Sequence, residues 1–299
     1  MNKKVYFLLT ISSIFILLFL AGCSMMASSK PSILSNKDWP KKRVMIMPVT
    51  DLSGIASRES RDAVSIRLTK IFQKTGYFNI HPHNTKKFRP FSPEESIDLN
   101  LLKEANERGI NAIIFETLNP IELNAGRSGI WPFREKAFYC SVSIHIDIVD
   151  VSNNAKLFSK EIADNITLSS EETANAKDND YHTETKKKAL KKCLPGILKE
   201  AANAAIFSLN QNAWTGRIVS INKKEITINA GSDVDLRAGV ALEVFSRGEY
   251  ITSFNNETYQ LPGKKVGEIK ITTLETRYSL AEPIDGDGFQ TGQIVRVKN

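Results

Sequence analysis

The chain has little of what usually announces a chemistry. It contains three cysteines and four histidines in 299 residues. It has no Walker A loop and no GxGxxG fingerprint, which excludes the common phosphate-cradling and dinucleotide-binding motifs. Gly126-Arg127-Ser128-Gly129 lacks the spacing of a nucleophile elbow, where a glycine flanks the serine on each side at a fixed distance after a strand. Internal repeats and low-complexity tracts are also missing, and the composition is that of an ordinary globular protein.

What is present begins at the N-terminus. Lys3 and Lys4 precede a 16-residue run, Val5 to Leu20, broken by Thr10, Ser12 and Ser13. That run is short for the roughly 20 apolar residues of a membrane-spanning helix and reads as a secretory signal. It ends in Leu20-Ala21-Gly22-Cys23, small residues before a cysteine, which resembles a bacterial lipobox. The resemblance implies removal of residues 1–22 and lipidation at Cys23. The alternative is an uncleaved anchor helix with an incidental cysteine. One acyl chain holds only marginally, at about 0.8 kcal/mol per buried methylene, so the two or three chains of a bacterial lipoprotein give a lasting anchor. Ser24 follows where an Asp would retain such a protein in the inner membrane, which favours an outer-membrane, periplasm-facing location.

The mature chain, residues 23–299, is long enough for two domains. The formal charge of +7 falls to +5 without Lys3 and Lys4, and residues 213–299 are neutral, with 11 basic and 11 acidic side chains. A secreted, anchored protein is not expected to meet nucleic acid. The excess fits anionic headgroups, an acidic partner, or ordinary surface charge. Cys140 and Cys193 are left as a possible disulfide pair in an oxidising compartment, or as two separate buried thiols.

Residues 23–41 read as the acylated N-terminus and a tether; sixteen flexible residues reach about 20 to 24 Å. Arg43 to Val49 is a nearly continuous apolar run, as in a strand covered on both faces. Ser57 caps a helix carrying Val64, Leu68, Ile71 and Phe72, ended by Gly76. A short strand, Tyr77 to Ile80, a Pro-rich loop and a helix over 94–108 follow. Asn111 to Leu118 and Ala137 to Val151 read as strands. In the second, Val142, Ile144, Ile146 and Ile148 alternate with Ser141, Ser143, His145 and Asp147. Lys156 to Leu168 is its hairpin partner. A long helix spans about Tyr181 to Leu209, kinked or restarted at Pro195-Gly196. From Trp214 the pattern changes to short alternating runs between glycine-bearing turns: Arg217 to Ile221, Glu225 to Asn229, Val240 to Ser246, Val266 to Thr272 and Ile294 to Val297. The expected fold is α/β, a layered sheet with helices over 42–212, followed by a small all-β barrel-like domain over 213–299.

The order of these elements, with Cys23, the Val44 to Val49 strand, Asn111 to Phe115, the Ser143 to Val151 hairpin and the long closing helix, resembles the CsgG-like fold. That is the fold of the curli secretion channel lipoprotein, related to the TolB N-terminal domain. Residues 214–298 are similar to the C-terminal domain of flagellar assembly protein T, through Gly216-Arg217-Ile218-Val219, Ala238 to Val244 and Val266 to Ile271. These resemblances imply an oligomeric envelope assembly accessory, possible as a ring, without enzymatic activity. The curli family crosses the membrane on two hairpins per subunit. Of the matching segments here, Asn119 to Lys136 carries Pro120, Pro132, Arg127, Arg134, Glu135 and Lys136, and Ala163 to Asp180 carries Glu171, Glu172, Lys177, Asp178 and Asp180 with only Ile166 and Leu168 as large apolar residues. A mid-plane Arg or Lys facing lipid costs about 2 to 4 kcal/mol, so any ring is expected to be periplasmic.

Other constellations are weak. His81-Pro82-His83 offers two metal ligands with no carboxylate or cysteine nearby in sequence, and Asp285-Gly286-Asp287-Gly288 lacks a calcium loop's remaining acidic positions. No metal and no cofactor are expected. Asp51-Leu52-Ser53-Gly54 reads as a turn with a helix cap. Lys186, Lys187, Lys188, Lys191 and Lys192 crowd two helical turns, either as a solvated face or as a contact for a partner or anionic lipid. The expected role is a non-enzymatic scaffold or accessory in assembling a secretion or flagellar envelope machine; the alternative is a curli-type outer-membrane secretion channel.

Overall fold

A computed structural model describes residues 40–82, 98–168, 179–252, 258–261 and 263–298. Strand β1 (Lys42–Ile46) lies parallel between β3 (Phe78–Pro82) and β4 (Ala112–Leu118). A two-residue strand, β2 (Thr50–Asp51), continues its line and pairs with the end of β4. Helix α1 (Arg58–Thr75) crosses from β2 to β3, and α2 (Leu99–Glu107) from β3 to β4. Val44 to Met47 and Ala112 to Phe115 read as unbroken apolar runs because both faces are covered. Val44 and Ile46 join the core with Leu68 and Phe72 of α1, while Met45 and Met47 join Leu102 and Ala105 of α2 on the opposite face.

The sheet then turns antiparallel. Strand β6 (Glu135–Asp150) takes β4 and β5 (Glu122–Ser128) in tandem along one edge and β7 (Ala155–Leu168) along the other. Helix α3 (Asn179–Asn210) packs across β6, β7 and α1. It is continuous through Pro195, so of the kink or restart expected at Pro195-Gly196 the restart does not occur. Proline in a helix interior costs about 3 kcal/mol, but the stripe Ala189, Cys193, Ile197, Ala201 and Leu209 stays buried on both sides of it. The helix expected over 94–108 begins at Leu99, where Asp98 accepts a hydrogen bond from the Asn100 amide at 2.9 Å; residues 94–97 lie outside the described residues.

From Gly216 the chain closes a six-stranded barrel in the order β10-β13-β14-β9-β8-β15. Its strands are β8 (Gly216–Asn222), β9 (Glu225–Ile228), β10 (Ala241–Phe245), β13 (Lys265–Leu274), β14 (Ser279–Gly286) and β15 (Ile294–Val297). A hairpin, β11 (Tyr250–Thr252) and β12 (Thr258–Gln260), stands off it. Trp214, Ile218, Ile228, Leu242, Val244, Ile269 and Ile271 pack together as its core, and the sheet closes on itself. The fold is thus α/β with an appended barrel, and both belong to one compact unit.

Candidate functional site

The polar face of β6 brings together three residue types that could do hydrolytic chemistry. His145 Nε2 lies 3.0 Å from Ser159 Oγ and 3.4 Å from Asp147 Oδ1. Both approaches fall on the same ring nitrogen. A catalytic triad needs the carboxylate on Nδ1, so that Nε2 is free to take the serine proton. Asp147 is instead held at ion-pair distance by Lys156 Nζ, 3.2 Å away, and is almost wholly buried. The arrangement is a cross-strand polar cluster without a triad's order of contacts, and Asp147 Oδ1, close to His145 and Lys156, makes no hydrogen bond among the described residues. Asn119 extends it, donating to Ser143 and to Glu161, each at 3.0 Å.

The lysine cluster sits on α3. Lys187, Lys188, Lys191 and Lys192 are exposed and Lys186 is half-buried. Lys187 pairs with Glu184 one turn away at 2.8 Å. Cys193 of this helix and Cys140 of β6 are both buried in the same core cluster and stand as free thiols. Burial pushes the Cys140 thiol up to about 11, against the opposing charge of Lys186. Cys193 is also raised, by burial and then by Asp164. Neither is an activated nucleophile.

Asp51 accepts hydrogen bonds from the Ser53 amide and hydroxyl at 2.9 and 2.6 Å, closing the turn expected there. His81, next to last in β3, has a buried Nε2 with no hydrogen-bond partner among the described residues; burial first, then Arg43, holds its pKa below the usual histidine value. His83 lies outside the described residues, as does Cys23.

Three features escaped the sequence. The first is a latch between the sheet and the barrel. Arg43 grips Asp233 with two hydrogen bonds, Nε to Oδ2 at 2.9 Å and Nη2 to Oδ1 at 2.7 Å, and donates to the carbonyls of Asn229 and Arg277. Asn79 donates to the same aspartate at 3.1 Å. Gly109 ends α2 at φ +70°, and a Cβ there would come within 2.3 Å of the Arg43 guanidinium. Lys42 beside it donates to the carbonyls of Leu209 and Asn212, capping the end of α3; burial lowers its amine to about 8. The second is Glu116 of β4, which shares its face with Ile114 and Leu118. It is 1% exposed, neither carboxylate oxygen has a partner among the described residues, and burial raises its pKa to about 8. The third is the tip of the β5–β6 ribbon. There Ile130, Trp131 and Phe133 are 84%, 79% and 82% exposed.

No family model matches the sequence, and no curated protein does. Solved structures give partial likenesses. A lipoprotein of Neisseria meningitidis is 13% identical, with 57% of this chain and 99% of that one covered at a TM-score of 0.28. The C-terminal domain of LpoB from Salmonella enterica is 8% identical, with 43% and 86% covered at 0.25. The PelC dodecamer of Paraburkholderia phytofirmans is 10% identical, with 42% and 73% covered at 0.29. Bacterial lipoproteins therefore appear among the structural neighbours, but likeness of this degree fixes neither family nor role.

Proposed function

We propose that the chain is a bacterial lipoprotein, anchored through acylated Cys23 on the periplasmic side of the outer membrane, and that it serves as a non-enzymatic scaffold or accessory in assembling an envelope machine. The observation that carries this reading is the N-terminal order of Lys3 and Lys4, a 16-residue apolar run, and Leu20-Ala21-Gly22-Cys23. The geometry of the polar face agrees with it, since Ser159 and Asp147 compete for one nitrogen of His145. The exposed lysines of α3 supply a face on which an acidic envelope partner, or a neighbouring copy in a ring, can dock. Crosslinking in cells followed by identification of trapped partners tests the role. Envelope proteins should dominate, and reversing the charge of Lys187, Lys188, Lys191 and Lys192 should release them at low salt. Cytosolic partners would contradict the reading, as would substrate turnover abolished by a single substitution. Ion conductance by the purified protein in a planar bilayer would favour the curli-type channel instead.

A further inference from the structure

The β5–β6 ribbon continues past the part of the sheet that α3 covers. Residues of β5 from Asn124 to Ser128 are largely exposed, and pairing runs out to Ser128 opposite Glu135. The connecting turn is tightly built. The Phe133 amide donates to the Ile130 carbonyl at 2.7 Å, and Gly129 stands at φ +107°, where a Cβ would meet the Phe133 carbonyl at 2.8 Å. This turn holds Ile130, Trp131 and Phe133 out into solvent, each about four-fifths exposed. Arg127 and Arg134 flank them, also exposed. From Arg127 to Lys136 the sequence carries three basic side chains against the single acid Glu135.

Exposed large apolar side chains grouped in this way mark a contact with something outside the chain. A protein partner of ordinary stability needs about 800 Å² on each side, and a convex tip of three side chains falls short of that. A bilayer needs no matching pocket. Tryptophan favours the headgroup level, apolar neighbours reach about 5 to 10 Å into the acyl boundary, and guanidinium groups pair with phosphates. The turn's backbone stays hydrated at that depth, so no unpaired amide enters the hydrocarbon. Seven paired residues in β5 are too few for a membrane strand, which takes about 9 to 11.

We propose that the ribbon tip, Ile130, Trp131 and Phe133 with Arg127 and Arg134, seats in the headgroup layer of an anionic bilayer as a second membrane contact. It fixes the orientation of the body, which an acylated tether alone does not do. The contact does not require acylation of Cys23, so the two can fail separately.

The test uses the mature full-length protein on vesicles whose acyl chains carry bromine, either pure phosphatidylcholine or phosphatidylcholine with about a quarter phosphatidylglycerol. Emission specific to Trp131 is the difference between the wild type and W131F; Trp39 and Trp214 are common to both and cancel. Trp131 emission should be quenched on the anionic vesicles and much less on the neutral ones. The double variant W131S/F133S should bind anionic vesicles roughly tenfold or more weakly if the protein is presented without its acyl chains. Its melting curve should match the wild type. Protein that floats with vesicles while Trp131 stays unquenched would overturn the tip contact and leave the anchor standing. Equal quenching on neutral vesicles would overturn it too, as would a concentration-dependent blue shift without lipid, which would mean that a second copy covers the tip.

Discussion

Strand β6 crosses two environments. From Cys140 to Ile148 every second side chain (Cys140, Val142, Ile144, Ile146, Ile148) is sealed beneath α3. At its other end the ribbon carries Ile130, Trp131 and Phe133 into solvent. The residue types are alike, and what differs is whether a covering helix reaches them. Apolar character therefore specifies burial within the chain only where a second layer is available. Beyond that layer it specifies contact with something else.

The comparison breaks most visibly in the covered region. Phe72 is fully buried and meets Phe78 edge to face with centroids 5.6 Å apart. Phe72→Ala should cost about 3 to 5 kcal/mol in chemical denaturation. Glu116 tests the same core through pH. Its folded pKa, about 8, lies above the ordinary 4.5, so the unfolded chain releases its proton first. Its contribution to stability is whole below pH 4.5, falls as pH rises, and levels off above about 8. The loss should be on the order of 5 kcal/mol across that window, and Glu116→Gln should flatten it in pH-dependent melts. The latch comes next. Arg43 is 3% and Asp233 14% exposed at the side chain, so Arg43→Met should cost about 2 kcal/mol by leaving Asp233 half-satisfied, and a double-mutant cycle with Asp233→Asn should show coupling. At the tip, Ile130→Ser and Phe133→Ser should change stability by less than about 0.5 kcal/mol, because neither side chain packs on the body. A large loss there would erase the contrast between the two ends of the ribbon.

Periodicity made much of this architecture legible. The alternation in Val142 to Ile148 and the continuous run at Val44 to Met47 state how many faces are covered, and the change of pattern at Trp214 marks the end of α3 and the start of the barrel. Strand β14 left a weak signal, because after Ala281 its side chains are exposed and Pro283 interrupts the run. The latch left none, since Arg43 and Asp233 are 190 positions apart and meet only through the closed barrel. Glu116 was visible in principle, as alternation puts it on the face of Ile114 and Leu118, but one acid in an apolar strand attracts little notice. At the ribbon tip, Ile130, Trp131 and Phe133 lie between Arg127 and Arg134 with no strand or helix period, so the local pattern does not separate an exposed apolar tip from a buried turn.

The proposed anchor, on which the proposed location depends, can be weighed directly. Intact mass spectrometry of protein extracted from the membrane fraction should find a chain beginning at residue 23, heavier than its sequence by a diacylglycerol and, where the third chain is added, one further acyl group. A chain that retains residues 1–22, or one starting at an unmodified Cys23, would contradict the account.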